Sequence, residues 1–345
     1  MKTTSGIDYS SVNQAINRGV SYLLSHAHSG RWRGFPTLAG ESDIWVTGFI
    51  TAHIHSFLDN QDVLNEIHAF LIEARLPTDG WSYSAMVPSD ADSTAWCLMA
   101  LKSSSIFNSV DLENSRAFLW DHFVNPGIAT YSLNSGIGDF ISAPNNEAIA
   151  GWTSSHPDVS IAAVLADMTD DRVPGILDWL QSMHSKEGFI DSYWWRGPFY
   201  TTALTLRALK KRNETISEAY TDKLLQGLRR LQLENGGFAL GNTMKLNPFS
   251  TALALETLLH LPDNQGANEI FACANALLGA QNDNGSWDGD FILRIPAPHV
   301  MDPESIAAYD NLDGGGNSFI PDQSGLFATA MACYALDCLR QNLNK

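Results

Sequence analysis

Basic residues are scarce in this chain: 21 Lys and Arg stand against 38 Asp and Glu, a formal net charge of -17, and the Lys and Arg form no cluster. An acidic surface repels polyanions, so nucleic acid and anionic membranes are excluded as partners. Cysteine is equally sparse. Cys97, Cys273, Cys333 and Cys338 lack CxxC spacing and sit in apolar helical contexts, which reads as buried thiols and neither a zinc site nor a disulfide framework. Nowhere do about 18 apolar residues run together. The opening "MKTTSGIDYSSVNQAINRGV" has no apolar segment of signal-peptide length, so the sequence predicts a cytoplasmic protein without stable membrane insertion. No cofactor and no metal are implied.

What the chain has is repetition. "STAWCLMAL" at Ser93, "TTALTLRAL" at Thr201, "STALALETL" at Ser250 and "ATAMACYAL" at Ala328 are copies of one pattern. "VTGFITAHI" at Val46 and "VSIAAVLAD" at Val159 are divergent copies, which makes six at helix-pair spacing. Each copy is apolar nearly all round and must be buried. Before the copies come amphipathic stretches, with Ile16, Val20, Leu23 and Leu24, then Val63, Ile67, Phe70 and Leu71, and Leu224, Leu228 and Leu231 at helical spacing. These end in Gly-rich turns such as "HAHSGRW", "RLPTDGW", "QLENGGF" and "QNDNGSW". Six pairs of one amphipathic and one wholly apolar helix close most simply as two concentric rings. The predicted fold is therefore all-α: an (α/α)6 barrel, or toroid, of six helix-pair repeats with almost no sheet, forming one domain over residues 1–345.

The turns carry a resemblance. Gln281, Gly285 and Trp287, and likewise Gln232, Gly236 and Phe238, resemble the QW motifs of terpenoid cyclases and of the related prenyltransferase and squalene cyclase repeat proteins, over essentially the whole chain. Asp90-Ala91-Asp92-Ser93-Thr94-Ala95 resembles the DxDD-T-A element of class II cyclases such as squalene-hopene cyclase. In that family the middle aspartate protonates an alkene or epoxide. The resemblance implies that Asp92 is the proton donor, that Asp90 supports it, and that the substrate is an apolar, isoprenoid-like molecule cyclised through carbocations. Ser93 stands where the family has its last aspartate. The family's helper histidine would fall near Ala162, which leaves His156 as its replacement. Class II cyclases also generally use two barrels, and this chain has length for one. The zinc-binding Asp-x-Cys and His set of the protein prenyltransferases is missing.

Every turn from an outer to an inner helix falls on one rim of such a barrel. Two insertions, at about 132–155 and 288–324, occupy that same rim, where long ordered loops generally cover or bind something. Asp43, Asp90, Asp92 and Asp158 precede inner helices and should converge there. Opposite them come Trp194, Trp195, Phe199 and Tyr200, with Phe249 and Phe327; together with Trp45 and Trp96 these are the candidate substrate-binding aromatics, and Asp92, Asp90, Asp158 and His156 the candidate catalytic groups. Aromatic faces across from an acid stabilise a carbocation by cation–π attraction.

Several readings stay open at this level. Asp is a strong helix N-cap, so Asp43, Asp90, Asp92 and Asp158 could each serve the backbone alone. Repeats 4 to 6 place Tyr200, Phe249 and Phe327 two positions before their Thr, so Asp92 is no repeat-wide structural requirement. The acidic rim suits a divalent cation as well, Arg196 and Arg294 suit a diphosphate or carboxylate, and His299 lies on the second insertion. A non-catalytic lipid- or partner-binding barrel, or a glycosidase or lyase with paired carboxylates, remains as an alternative, and a partner protein or homodimer is left open.

Overall fold

The structure of the protein is a computed structural model that describes residues 7–58, 60–102, 112–262, 265–311 and 313–343. Residues 1–6 of the opening stretch and Leu312 of the second insertion lie outside the described residues. Among the described residues the helices in chain order are α1 (Tyr9–Ser25), α2 (Ile44–Ile54), α3 (Gln61–Glu73), α4 (Ala91–Leu101), α5 (Glu113–Trp120), a short α6 (Ile137–Phe140), α7 (Pro157–Ala166), α8 (Val173–Ser182), α9 (Tyr200–Lys211), α10 (Glu218–Leu231), α11 (Pro248–His260), α12 (Ala267–Gly279) and α13 (Leu326–Leu343). None is long and apolar enough to cross a membrane.

The six repeat copies are α2, α4, α7, α9, α11 and α13. They are buried on nearly every side; in α7 each residue from Asp158 to Ala166 is inaccessible. α2 packs on α4, α4 on α7, α7 on α9, α9 on α11, α11 on α13, and α13 back on α2. The alternating helices bury a single stripe, Val12, Ala15, Ile16, Gly19 and Leu23 in α1 and Leu64, Ile67, His68 and Leu71 in α3. Leu231, the last residue of α10, is exposed, because the stripe turns outward where that helix ends.

One device recurs in all six pairs. A hydroxyl in the first turn of each apolar helix accepts the N–H of the residue that ends the preceding turn: Thr47 from Trp32, Thr94 from Trp81, Ser160 from Ile128, Thr202 from Ile190, Thr251 from Phe238 and Thr329 from Trp287. It satisfies a buried backbone donor and ties each turn to the helix that follows. The glutamines of the QW turns bridge repeats. Gln281 donates to the carbonyls of Gly285 and Ala15, and Gln232 to that of Gly236. Gly285 and Gly236 adopt φ of 92° and 85°, where L side chains are strained, and a Cβ there would lie 2.4 Å from the Arg18 carbonyl or 2.6 Å from that of Ala272.

The expectation of almost no sheet needs correcting. Among the described residues there are four small antiparallel sheets: Gly34–Thr37 with Gly40–Ser42, Trp81–Ser82 with Ser89–Asp90, Gly127–Ala129 between Phe123–Val124 and Ser155–His156, and Leu293–Ile295 with Ser318–Ile320. These connections lie over the helix ends and pair their own backbone groups, since buried N–H and C=O groups must find partners. Away from the rim, the Arg207 guanidinium forks onto Glu256 at 2.6 and 2.9 Å, with His260 donating to the same carboxylate. His53 from α2 faces that guanidinium, and Tyr334 lies beneath it.

Candidate active site

A cavity of about 500 Å³ opens where α2 and α4 begin. Its walls come from five connections: Leu38 from the first hairpin, Tyr83 and Val87 from the second, Phe140 and Trp152 from the first insertion, Trp194 and Trp195 from the segment before α9, and Leu293 and Pro298 from the second insertion. Trp45 and Asp92, in the first turns of α2 and α4, form part of the wall with Asp90 and Ser93.

The two aspartates of the motif do different things. Asp90 is the N-cap of α4, its carboxylate accepting the Ser93 N–H and the Ser93 hydroxyl, each at 2.7 Å. Burial pushes the Asp90 carboxyl up to about 7 against the pull of those hydrogen bonds. Asp92 caps nothing. Its Oδ2 accepts the Trp45 indole N–H at 2.8 Å, and the carboxyl keeps some accessible surface, which faces the cavity. Enclosure by protein first, and then the nearby carboxyls of Asp90 and Asp158, hold Asp92 well above the ordinary carboxylate range. The Trp96 indole N–H is near enough to favour its charged form but falls outside hydrogen-bond geometry.

Asp158 is buried behind this wall. Its Oδ2 accepts the Trp194 backbone N–H at 2.7 Å, its Oδ1 has no partner, and burial raises its carboxyl. His156 does not reach the cavity. Its Nε2 contacts the Gly151 carbonyl at 2.7 Å, its Nδ1 the Thr130 hydroxyl at 2.8 Å, and Tyr193 stacks on its ring. Burial lowers the imidazole to about 3, so it is neutral and its Nε2 carries the proton toward the carbonyl. Thr130, which does line the cavity, then donates to Nδ1 and accepts the Trp194 indole N–H at 2.7 Å. His156 thereby sets the tilt of a wall tryptophan through one hydroxyl.

Of the aromatics expected at the cavity, Trp45, Trp194 and Trp195 line it. Trp96, Phe199, Tyr200, Phe249 and Phe327 do not; Trp195 lies against Tyr200, Phe249 and Phe327, and Trp96 packs on Phe49 and His53. Trp195 stacks on Tyr200 at 4.1 Å and on Phe249 at 5.3 Å, and Phe327 sits 5.0 Å from Trp45 and stacked on Phe49 at 3.9 Å. They are a second aromatic layer below the wall. Phe199 turns instead to Phe189 and Phe238 under the turns. Asp43 makes no cap hydrogen bond and faces Arg31 and Arg33 at 3.4 and 3.9 Å. Arg196 lies over Phe319, Arg294 is held by Tyr193, Ser192 and Glu304, and His299 is exposed. Among the described residues no group of three His, Cys, Asp or Glu is placed to hold a metal ion.

Sequence reasoning missed Trp152, Thr130, Tyr131, Ile137 and Phe140, all wall residues. The signal was an inserted segment richer in large apolar side chains than a solvated loop needs to be.

No family profile and no curated protein matches the chain by sequence. Solved structures do match. A variant of the type II terpene cyclase MstE from Scytonema, in complex with its product merosterolic acid A, is 27% identical over 96% of this chain and 98% of its own, with a TM-score of 0.87. Another MstE variant, holding the substrate geranylgeranyl dihydroxybenzoate, matches at 27% identity over the same shares with a TM-score of 0.85. The ent-copalyl diphosphate synthase of Streptomyces platensis, at 16% identity, a TM-score of 0.58, 85% of this chain and 50% of its own, shows likeness of fold alone. A chain with an acid in the wall of an aromatic-lined cavity, similar end to end to a type II terpene cyclase, is an enzyme of the cyclase class.

Proposed function

We propose that the chain is a single (α/α)6 toroid working as a class II cyclase, in which Asp92 protonates a linear prenyl chain and starts a carbocation cyclisation. The observation that carries this reading is the Asp92 carboxyl itself: free of any capping duty, fixed through one oxygen by Trp45, open to an apolar cavity through the rest, and held well above the ordinary carboxylate range by burial and by neighbouring carboxyls. The succession of contacts from α2 round to α13 and back supports the toroid. The prenylated substrate of MstE supports a prenyl chain here.

In the first step the Asp92 O–H adds its proton to the distal alkene. The π electrons form the new C–H bond, a tertiary cation is left behind, and Asp92 becomes the carboxylate. Each following alkene attacks the cation, forming a C–C bond and moving the charge one ring onward. Loss of a proton to solvent from the carbon beside the last cation restores a neutral product of unchanged mass, and solvent returns a proton to the Asp92 carboxylate. Trp45, Tyr83, Trp194 and Trp195 present π faces along that path, and the two insertions keep water from quenching it. The Trp45 N–H strengthens its hold on Asp92 as the carboxylate forms, so it stabilises the transition state more than the ground state.

The test is incubation in D2O with linear prenyl compounds of three and four isoprene units, followed by mass spectrometry. Cyclic isomers carrying one new C–D bond are expected from the wild type. Asp92→Asn is expected to keep the fold and lose this product by at least about 100-fold. Wild-type turnover in Asp92→Asn would remove Asp92 from the chemistry.

A further inference from the structure

The cavity is not only apolar; its electrostatics select one kind of head group. Among the residues that line it, Asp90 and Asp92 at its inner wall are the acidic ones, and no Lys or Arg is among them. The cations that could have served the mouth are committed elsewhere. Arg294 spends its guanidinium on two carbonyls and Glu304, Arg196 lies flat on Phe319 and donates to the Phe291 carbonyl, and Arg31 and Arg33 face Asp43.

Backbone donors could replace cations in holding an anion, yet several of them already have side-chain acceptors. At the helix starts, Asp90 takes the Ser93 N–H, Asn247 that of Ser250, and Asp322 those of Leu326 and Ala328. The triple glycine of the second insertion, Gly314 to Gly316, forms part of the mouth and resembles a phosphate-binding nest in composition. Its Gly315 N–H is taken by the Asp313 carboxylate at 2.7 Å, which adds negative charge at the lip. Beside the glycines lies Leu38, 66% exposed, whose N–H is bonded to the Gly314 carbonyl.

We propose that the substrate is a prenyl compound with an uncharged head group, such as an alcohol, an ether or a prenylated phenol, and that prenyl diphosphates and prenyl carboxylates are turned away. The proposal rests on the cyclase reading for the prenyl chain and adds the head. With the distal alkene at Asp92, the head lies between Leu38 and the glycines on one side and Trp152 and Phe140 on the other. A dianionic diphosphate there would meet no counter-charge and would lie on the same acidic face as Asp313. An uncharged head would meet apolar and aromatic surface.

The test compares molecules that share one chain and differ in the head: a C15 alcohol, its methyl ether, its carboxylate analogue and its diphosphate. Binding is followed by quenching of tryptophan fluorescence, since Trp45, Trp152, Trp194 and Trp195 line the cavity. Turnover is followed separately by deuterium incorporation. The alcohol and ether are expected to bind at least about 100-fold more tightly than the diphosphate, because like-charge juxtaposition without compensation costs this much or more. Leu38→Arg, at an exposed position on the lip, is expected to shift the preference toward the diphosphate over the alcohol by about tenfold. Diphosphate or carboxylate binding that equals alcohol binding would overturn the proposal, as would a preference that Leu38→Arg leaves untouched. Tight binding of neutral compounds without any turnover would leave the head-group assignment standing and count against the cyclase reading alone.

Discussion

Trp45→Phe isolates one hydrogen bond of the proposed acid. The indole N–H reaches Asp92 Oδ2 at 2.8 Å, while the ring packs against Phe35 at 5.4 Å, Tyr83 at 5.7 Å and Phe327 at 5.0 Å. Phenylalanine keeps most of that packing and loses the donor. Before protonation the bond joins two neutral groups, a contact worth about 1 kcal/mol; as the proton leaves, Oδ2 becomes part of a carboxylate and the same bond grows to about 2–3 kcal/mol. Only the difference of roughly 1–2 kcal/mol acts on the rate, so kcat should fall about 5- to 30-fold with KM little changed. The sign of the acidity change agrees. The Trp45 bond lowers the pKa of Asp92, so its loss leaves a weaker acid. The assay is kcat and KM from deuterium incorporation, beside a thermal unfolding curve in which the smaller ring costs about 1 kcal/mol. An unchanged kcat would refute the coupling of Trp45 to the acid, and a loss confined to KM would reassign Trp45 to substrate packing.

Three further outcomes follow from the same contacts. Asp90 has a folded pKa of about 7 against an ordinary 3.8, so its contribution to stability is fully present below about pH 4 and is lost as pH rises through about 7; denaturant midpoints should show the wild type losing roughly 1–3 kcal/mol between pH 4 and pH 8 relative to Asp90→Asn. Glu256, fully buried on Arg207, has its pKa lowered, so it stabilises the fold above its unfolded value near 4.5 and that contribution is lost as pH falls. Glu256→Gln leaves the Arg207 charge buried without its partner and should cost about 3–5 kcal/mol in urea unfolding at pH 7. Phe249→Ala removes the ring 5.3 Å behind Trp195 and should let the cavity deepen, raising the kcat/KM ratio of a substrate one isoprene unit longer over the original; an unchanged ratio would mean that the second layer does not limit chain length.

The helical repeat was legible because its period is enforced by burial. A helix packed on all sides leaves no polar face, and the six apolar runs in the sequence are the six helices that contact one another in succession. The hydroxyl in each run was legible as a pattern but not as a function: the alignment of Thr94 with Thr251 gives no hint that both hold the N–H of a turn residue. The cavity wall was less legible. Tyr200, Phe249 and Phe327 are on the rim in sequence and in space, yet they lie below the wall, because Trp195 covers them, and nothing local in the sequence says which of two adjacent tryptophans turns inward. His156 looked like a replacement for the helper histidine of the family that the turns resemble. Its burial depends on a strand pairing between Ile128 and His156 that no periodicity encodes.

The clamp hydroxyl provides a register that separates structural from chemical positions. Four residues before it come Asp43, Asp90, His156, Pro198, Asn247 and Gly325, one per repeat. This is the capping position: Asp90 and Asn247 take an N–H three residues on, and in the last repeat the duty passes to Asp322. Two residues before the hydroxyl come Trp45, Asp92, Asp158, Tyr200, Phe249 and Phe327. None of these six is the capping residue of its helix. Several of this second series touch or act on one another: Trp45 donates to Asp92, the Asp158 carboxyl helps to raise that of Asp92, both act on the Tyr200 hydroxyl, and Phe327 returns to Trp45. A repeat thus offers one position per helix that the backbone does not need, and in this chain that position carries two buried acids on one side and aromatic rings on the other. The aspartate whose loss would leave α4 capped is the one that faces the cavity, which is why Asp92, and not its neighbour Asp90, is free to give up a proton.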